Sequence, residues 1–180
     1  MRFALAALAV VVGLACGLLL AEARLDAFAQ GKGGSGKGGG GGGSAGGGSV
    51  SCTVDSATGV AFGIYDAESG VAQTSTGQLN FSCKPKGKSV SVRITISAST
   101  VTGSITDRGM HEAGGGDVLY YNLFQDQRGT IIWGDGATGG SELVVTAVDA
   151  FSVQIYGIAY PSQQVSEGVY ADAVQISIQF

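Results

Sequence analysis

Hydrophobic and polar residues alternate most regularly at the C-terminal end of the chain. In residues 174–180, Val, Ile, Ile and Phe alternate with Gln, Ser and Gln. A period of two places successive side chains on opposite faces of a β-strand, so this segment is predicted to be a strand with one buried face. Residues 152–160 form a second apolar run just before it. Both runs are predicted to join a sheet that the preceding chain has already formed.

The same alternation continues upstream. It is clearest in residues 90–97, and shorter runs of strand-forming residues occupy 50–54, 60–65, 78–83, 118–125, 130–133 and 143–148. Clusters rich in Gly, Pro and Asp separate these runs, and helical periodicity is absent outside the leader. About seven to nine short strands at this spacing predict an all-β fold, an antiparallel β-sandwich. The register predicts that Ile94, Ile96, Ile176 and Ile178 are buried and that Arg93, Gln175 and Gln179 are exposed.

Residues 1–29 have the composition of a secretory signal peptide. Arg2 precedes the uncharged residues 4–21, and small residues flank two candidate sites, cleavage after Ala23 or after Ala29. Two alternatives compete with this interpretation. The 18 uncharged residues could form an uncleaved anchor, although their richness in Ala and Gly disfavours it. Cys16 could be a lipidation site, although the leucines that follow it are atypical.

Residues 30–49 are predicted to be a flexible tether. Thirteen of the 32 glycines lie between positions 31 and 49. Glycine loses the most backbone entropy on folding and has no side chain to bury, so no core can form there. The two lysines do not make a phosphate-binding loop, because the required glycine–lysine–hydroxyl spacing is missing. The folded domain is therefore expected to span residues 50–180.

Charge and cysteine content narrow the function of this domain. From residue 50 onward it has six Lys/Arg and twelve Asp/Glu, a net charge of −6, which argues against nucleic-acid binding. Cys52 and Cys83 are an even pair in a chain predicted to be exported, and one disulfide is the simplest interpretation. Two buried free thiols are the alternative.

The sequence offers little catalytic or metal-binding chemistry. Its one histidine, His111, is placed in a glycine-rich loop and is expected to be solvated. Asp126 and Asp135 could flank a cation, but the acidic ladder of a calcium loop is missing. Trp133 could stack on a sugar, although a core or groove position is favoured. No catalytic residue, metal site or cofactor is predicted, and the chain is expected not to be an enzyme.

Eight short motifs follow one another in the order found in a known family. They comprise Cys52; Phe62, Gly63, Tyr65 and Asp66; Phe81 and Cys83; Arg108 and Met110; Tyr121, Asn122 and Asp126; Trp133, Gly134, Asp135 and Gly136; Tyr156 and Gly157; and Gly168, Tyr170 and Asp172. Together they span residues 50–180. On these motifs the domain resembles the spore coat protein U family, which includes subunits of archaic chaperone–usher pili.

The resemblance implies a secreted immunoglobulin-like sandwich that lacks its final strand and is completed by a donated strand. It implies a periplasmic chaperone, an outer-membrane usher and neighbouring subunits as partners, with no small-molecule substrate. The motif residues are expected to be structural: the glycines form bulges and turns, and the tyrosines supply core bulk.

Two functions follow from the resemblance. The first is a structural subunit of a pilus or of a spore or cell coat. The alternative is a surface adhesin whose loops, with Trp133, contact a glycan or another surface. The chain departs from pilus subunits in one respect, because polyglycine occupies the position of their apolar donor strand. We therefore expect that residues 31–49 cannot be donated as a strand.

Overall fold

The computed structural model describes residues 3–12 and 50–180, and these residues form ten strands and no helix. The strands are β1 (Phe3–Val12), β2 (Ser51–Thr58), β3 (Ala61–Asp66), β4 (Gln73–Lys84), β5 (Ser89–Ile96), β6 (Arg108–Glu112), β7 (Val118–Phe124), β8 (Leu143–Val148), β9 (Ala150–Ala159) and β10 (Gly168–Gln179). Within these ranges no helix could cross a membrane. The predicted tether, both predicted cleavage sites and Cys16 lie outside the described residues.

The strands are joined by hydrogen bonds in the order β2-β4-β9-β7-β6-β10-β1-β3, and β5 links β10 to β8. Every pairing is antiparallel except that of β1 with β10. Side chains from β2, β4, β7 and β9 share one buried cluster with side chains from β5 and β10. The predicted all-β antiparallel sandwich is confirmed.

The predicted register is also confirmed. The side chains of Ile94, Ile96 and Ile176 are fully buried, and Ile178 is 3% exposed. Arg93, Gln175 and Gln179 face solvent. Cys52 and Cys83 lie opposite each other on β2 and β4 and form the predicted disulfide. Both cysteines are buried, so the disulfide ties an edge strand to the core.

Three segments differ from the prediction for physical reasons. Residues 130–133 make only isolated bridges, because the turns around Asp126 and Gly134 interrupt the run. β6 was not predicted as a strand, so His111 lies on a strand rather than in a loop, with its side chain exposed. β4 begins at Gln73, five residues before the predicted run. The prediction missed this first part because its side chains carry hydroxyl groups and give no apolar alternation.

Candidate functional site

The candidate site is the edge of β10 on the side opposite β5 and β6. Strand β1 occupies this edge and runs parallel to β10, with nine aligned positions from Ala4/Gly168 to Val12/Ile176. On its other side, β1 pairs antiparallel with β3 over the five positions from Phe3/Asp66 to Ala7/Ala61. A single strand therefore closes the gap between β3 and β10. That strand consists of residues predicted to belong to the signal peptide.

The edge that β1 covers lies next to a row of β10 side chains that are buried in the core. Tyr170, Asp172, Val174 and Ile176 alternate with exposed or half-buried neighbours and are at most 4% exposed. In register, they stand beside Ala6, Leu8, Val10 and Val12 of β1. Without a strand at this position, the backbone N–H and C=O groups along the edge would lack partners next to a buried row.

Asp172 is a carboxylate within this buried row. Its Oδ2 accepts a hydrogen bond from the Tyr121 hydroxyl at 2.8 Å, and its Oδ1 accepts from the Thr100 hydroxyl at 2.8 Å and the Thr100 backbone N–H at 3.1 Å. Burial, with the carboxylate nearby, raises the pKa of Tyr121 well above its usual value, so the phenol stays a donor. The arrangement fixes β10 to β7 and to the loop after β5.

Arg108 lies near Asp172 and is fully buried. Its guanidinium donates to Asn122 Oδ1 at 2.6 Å, to the Ser97 carbonyl at 2.8 Å and to the Trp133 carbonyl at 2.9 Å. Burial lowers its pKa to about 10, which leaves the group charged at neutral pH. Asn122 in turn donates to the Thr106 carbonyl at 2.6 Å. Each of the three guanidinium nitrogens therefore donates to an acceptor within the protein, and together these bonds join β6 to β7, to the end of β5 and to the loop that carries Trp133.

Trp133 cannot take part in surface recognition. Its side chain is fully buried, and its Nε1–H donates to the Ile94 carbonyl at 3.0 Å. The idea that this ring stacks on a glycan is wrong, because no face of the indole reaches solvent. Gly134, the next residue, lies so close to the Gly139 carbonyl that a Cβ would overlap it.

Asp126 and Asp135 organise loops. Asp126 accepts hydrogen bonds from the backbone N–H groups of Thr130 and Ile131 and from the Thr130 hydroxyl, and Asp135 accepts from Ala137, Thr138 and Gly139. These bonds lower the pKa of both carboxyl groups. In residues 50–180 no three His, Cys, Asp or Glu side chains come together as a metal site would require.

The remaining motif residues lie in and around the core. Phe62, Tyr65 and Met110 are buried, and the Tyr65 hydroxyl donates to the Tyr160 carbonyl at 2.7 Å. Gly63 and Gly136 have positive φ angles of 74° and 73°. Asp66 accepts a hydrogen bond from the Glu68 backbone N–H in the turn after β3, and Gly168 begins β10 beside Glu112.

Two positions of β9 differ from the expectation. Tyr156 is half-buried in the outward-facing row of the strand instead of in the core. Gly157 is neither in a turn nor in a bulge. It faces inward, where a Cβ would overlap Val60 and Phe62, so glycine is required there for close packing.

Comparison with known proteins identifies the family. A model of the Spore Coat Protein U domain matches residues 49–177. The chain belongs to this family. It is 29% identical over 143 residues to Protein U of Myxococcus xanthus, a match that covers 72% of this chain and 78% of that protein.

Two solved structures show a more distant likeness. One is the chaperone–tip adhesion subunit complex CsuC–CsuE from archaic chaperone–usher pili of Acinetobacter baumannii, with 14% identity, a TM-score of 0.46 and coverage of 73% of this chain. The other is a chaperone–tip adhesin complex of CFA/I fimbriae, with 13% identity, a TM-score of 0.39 and coverage of 60% of this chain. This chain spans 40% and 34% of their respective lengths.

Proposed function

We propose that the protein is a secreted structural component of the cell surface that accepts a β-strand from another polypeptide. In this function it is a subunit of a chaperone–usher type pilus or of a spore or cell coat, exported through the periplasm. A periplasmic chaperone, an outer-membrane usher and neighbouring subunits are the proposed partners. Family membership supports the coat or pilus class, and no catalytic role is proposed.

One observation carries this proposal. The edge of β10 from Gly168 to Ile176 is paired along its length with β1, which belongs to the predicted signal peptide. If export removes residues 1–23 or 1–29, β1 leaves with them, and the facing edges of β3 and β10 both become open. A donated strand can fill an open edge beside a buried row of side chains, and it supplies the main-chain hydrogen bonds that the edge lacks.

The buried polar groups support a structural function over catalysis. Among the described residues, every buried side-chain nitrogen and oxygen has a hydrogen-bond partner within the protein. Active sites usually hold at least one polar group that awaits a ligand. Here the buried cation, amide, phenol and carboxylate satisfy each other or the backbone.

The test is strand complementation of the exported protein. Its N-terminus is first determined by sequencing, and thermal unfolding is then followed with increasing amounts of a peptide that carries residues 3–12 between terminal lysines. A bound strand stabilises only the folded state, by about 2.7 kcal/mol at a peptide concentration of 100 times the dissociation constant. We expect the unfolding temperature to rise with peptide concentration.

The control is the same peptide with Ala6→Pro. Ala6 is aligned with Tyr170 on one side and Gly63 on the other, and proline has no N–H to donate to either strand. This peptide should stabilise the protein far less. The proposal fails if the exported protein unfolds at the temperature of the uncleaved chain and neither peptide changes it.

A further inference from the structure

The outer face of β2, β4 and β9 has an unusual composition. Aligned positions give two rows across the three strands, Ser56–Asn80–Ser152 and Thr58–Gln78–Gln154, followed by the pair Thr76–Tyr156. All eight side chains are polar and uncharged. A solvated sheet face normally carries charged residues, and none stands among these positions.

These side chains are already ordered by hydrogen bonds to one another. Asn80 donates to the Ser56 hydroxyl at 2.8 Å, and its carbonyl oxygen accepts from Ser152 at 2.6 Å and from Gln78 at 3.1 Å. The Tyr156 hydroxyl donates to Gln154 Oε1 at 2.7 Å. Each amide and hydroxyl keeps further donor or acceptor capacity toward solvent.

A cleft of about 390 Å³ adjoins this face, lined by Thr74, Ser75, Thr76, Gln127, Tyr156, Gly157 and Ile158. Its volume is in the range of small-ligand sites. One wall is the loop after β7, where Gly129 lies directly against the Ile158 side chain. The Asp126 carboxylate holds this loop through its bonds to Thr130 and Ile131. Gln127 is exposed on the same loop.

We propose that this cleft and the adjoining sheet face bind a neutral polysaccharide chain. A sugar ring needs uncharged donors and acceptors for its hydroxyl groups and an aromatic surface for its C–H face. Thr74, Thr76 and Gln127 supply the uncharged donors and acceptors, and the ring of Tyr156 supplies the aromatic surface. The lack of Lys and Arg among the eight aligned positions disfavours an anionic ligand, which these residues would attract. This site is separate from strand acceptance, because neither β4 nor β9 pairs with β1.

The test is affinity electrophoresis of the full chain in native gels that contain laminarin, xyloglucan, galactomannan or dextran, with alginate as the anionic comparison. We expect at least one neutral polysaccharide to retard the protein. Tyr156→Ala and Gln127→Ala should each weaken this retardation, the tyrosine change by about tenfold. Tyr156→Phe keeps the ring and should retain most of the retardation.

Tyr120→Ala is the matched control, because Tyr120 is also exposed, at 45%, but lies outside the cleft. It should leave retardation unchanged. Circular dichroism verifies folding of each variant, and Gln127→Ala tests the site in an exposed loop even if Tyr156→Ala does not fold. The proposal is wrong if no neutral polysaccharide retards the chain, if only alginate does, or if Gln127→Ala and a folded Tyr156→Ala bind normally. The proposal would also be overturned if the chain bound no polysaccharide but associated with itself in a concentration-dependent way that Tyr156→Ala abolished. That result would assign the face to a protein partner.

Discussion

At the scale of single residues, the most demanding position is Arg108. A fully buried guanidinium is costly to desolvate, and it is retained here because its donors meet the Asn122 side chain and the carbonyls of Ser97 and Trp133. These acceptors come from three separate parts of the chain. The side chain therefore connects β6 and β7 to the end of β5 and to the loop that carries Trp133.

Replacing Arg108 with Met should destabilise the fold strongly. The thioether fills much of the same space but leaves the carbonyls of Ser97 and Trp133 without the donors they have here. The Asn122 oxygen loses one of its two donors and keeps the Leu123 backbone N–H. We expect the change to cost about 3–5 kcal/mol. The free energy of unfolding, measured in urea, reports this change. Arg93→Met is the control. Arg93 is half-exposed and forms a surface ion pair with Glu142 at 3.3 Å, so its loss should cost less than about 1 kcal/mol. Equal effects of the two substitutions would contradict the assigned role of Arg108.

At the scale of elements, β10 has the largest number of strand neighbours. Along one edge it pairs with β6 at Tyr170 and Ala171 and with β5 from Ile176 to Gln179, and along the other it pairs with β1. Its alternating sequence suits this position, because one row of side chains enters the core and the other faces outward. Occupation of the open edge by a donated strand would therefore stabilise the centre of the sandwich.

Truncating a buried side chain of β10 should lower the free energy of unfolding much more than truncating an exposed one. Ile176→Ala removes a fully buried side chain and should lower the free energy of unfolding by about 2–5 kcal/mol. Gln175→Ala, one position earlier and exposed, should change it by less than about 0.5 kcal/mol. Urea denaturation of both variants measures the difference. A small effect at position 176 with a large one at 175 would mean that the strand is in the opposite register.

The elements also show how far the sequence predicts this fold. Strands β5, β8 and β10 follow from local patterns, because their apolar residues sit on one face or form a compact β-branched run. Strand β6 does not, since its inward residues include Arg108, and a charged residue at a core position gives no apolar alternation. The bond between Tyr121 and Asp172 joins residues 51 positions apart, so it depends on tertiary structure that local periodicity does not encode.

The candidate site was predictable only in part. The family resemblance led to the expectation of a missing final strand, and alternation in residues 174–180 located one edge of the gap. The residues that close it in the structure come from the leader, whose apolar composition predicts a signal peptide or, as the alternative, a membrane anchor, and neither interpretation predicts a strand. The polar face of β2, β4 and β9 was missed because uncharged hydroxyl and amide residues resemble loop composition, and only register aligns them across three strands.

At the scale of the whole molecule, the remaining question is whether the protein can donate a strand as well as accept one. A donor must present alternating apolar side chains to successive positions of the acceptor edge. Residues 31–49 consist mainly of glycine and have no such side chains, and ordering them would carry a large entropy cost. Cleavage after Ala29 leaves only this segment ahead of the domain. Cleavage after Ala23 adds Leu25, Ala27 and Ala29 on one face, a short donor with two small side chains.

We therefore expect the exported protein not to form stable homopolymeric fibres through its own N-terminus. Electron microscopy of the purified exported protein, after its N-terminus has been sequenced, should show no fibres that survive heating in detergent.

Two deletions separate the contributions of the segments: removal of residues 31–49 tests the glycine tether, and removal of residues 24–49 also tests the short apolar segment. Neither deletion should change the assembly state, because neither segment can fill the nine-residue edge of β10 that β1 covers. Heat-resistant fibres that form from the exported protein and disappear on either deletion would show that the N-terminal segment is a functional donor, and the protein would then be a self-polymerising subunit.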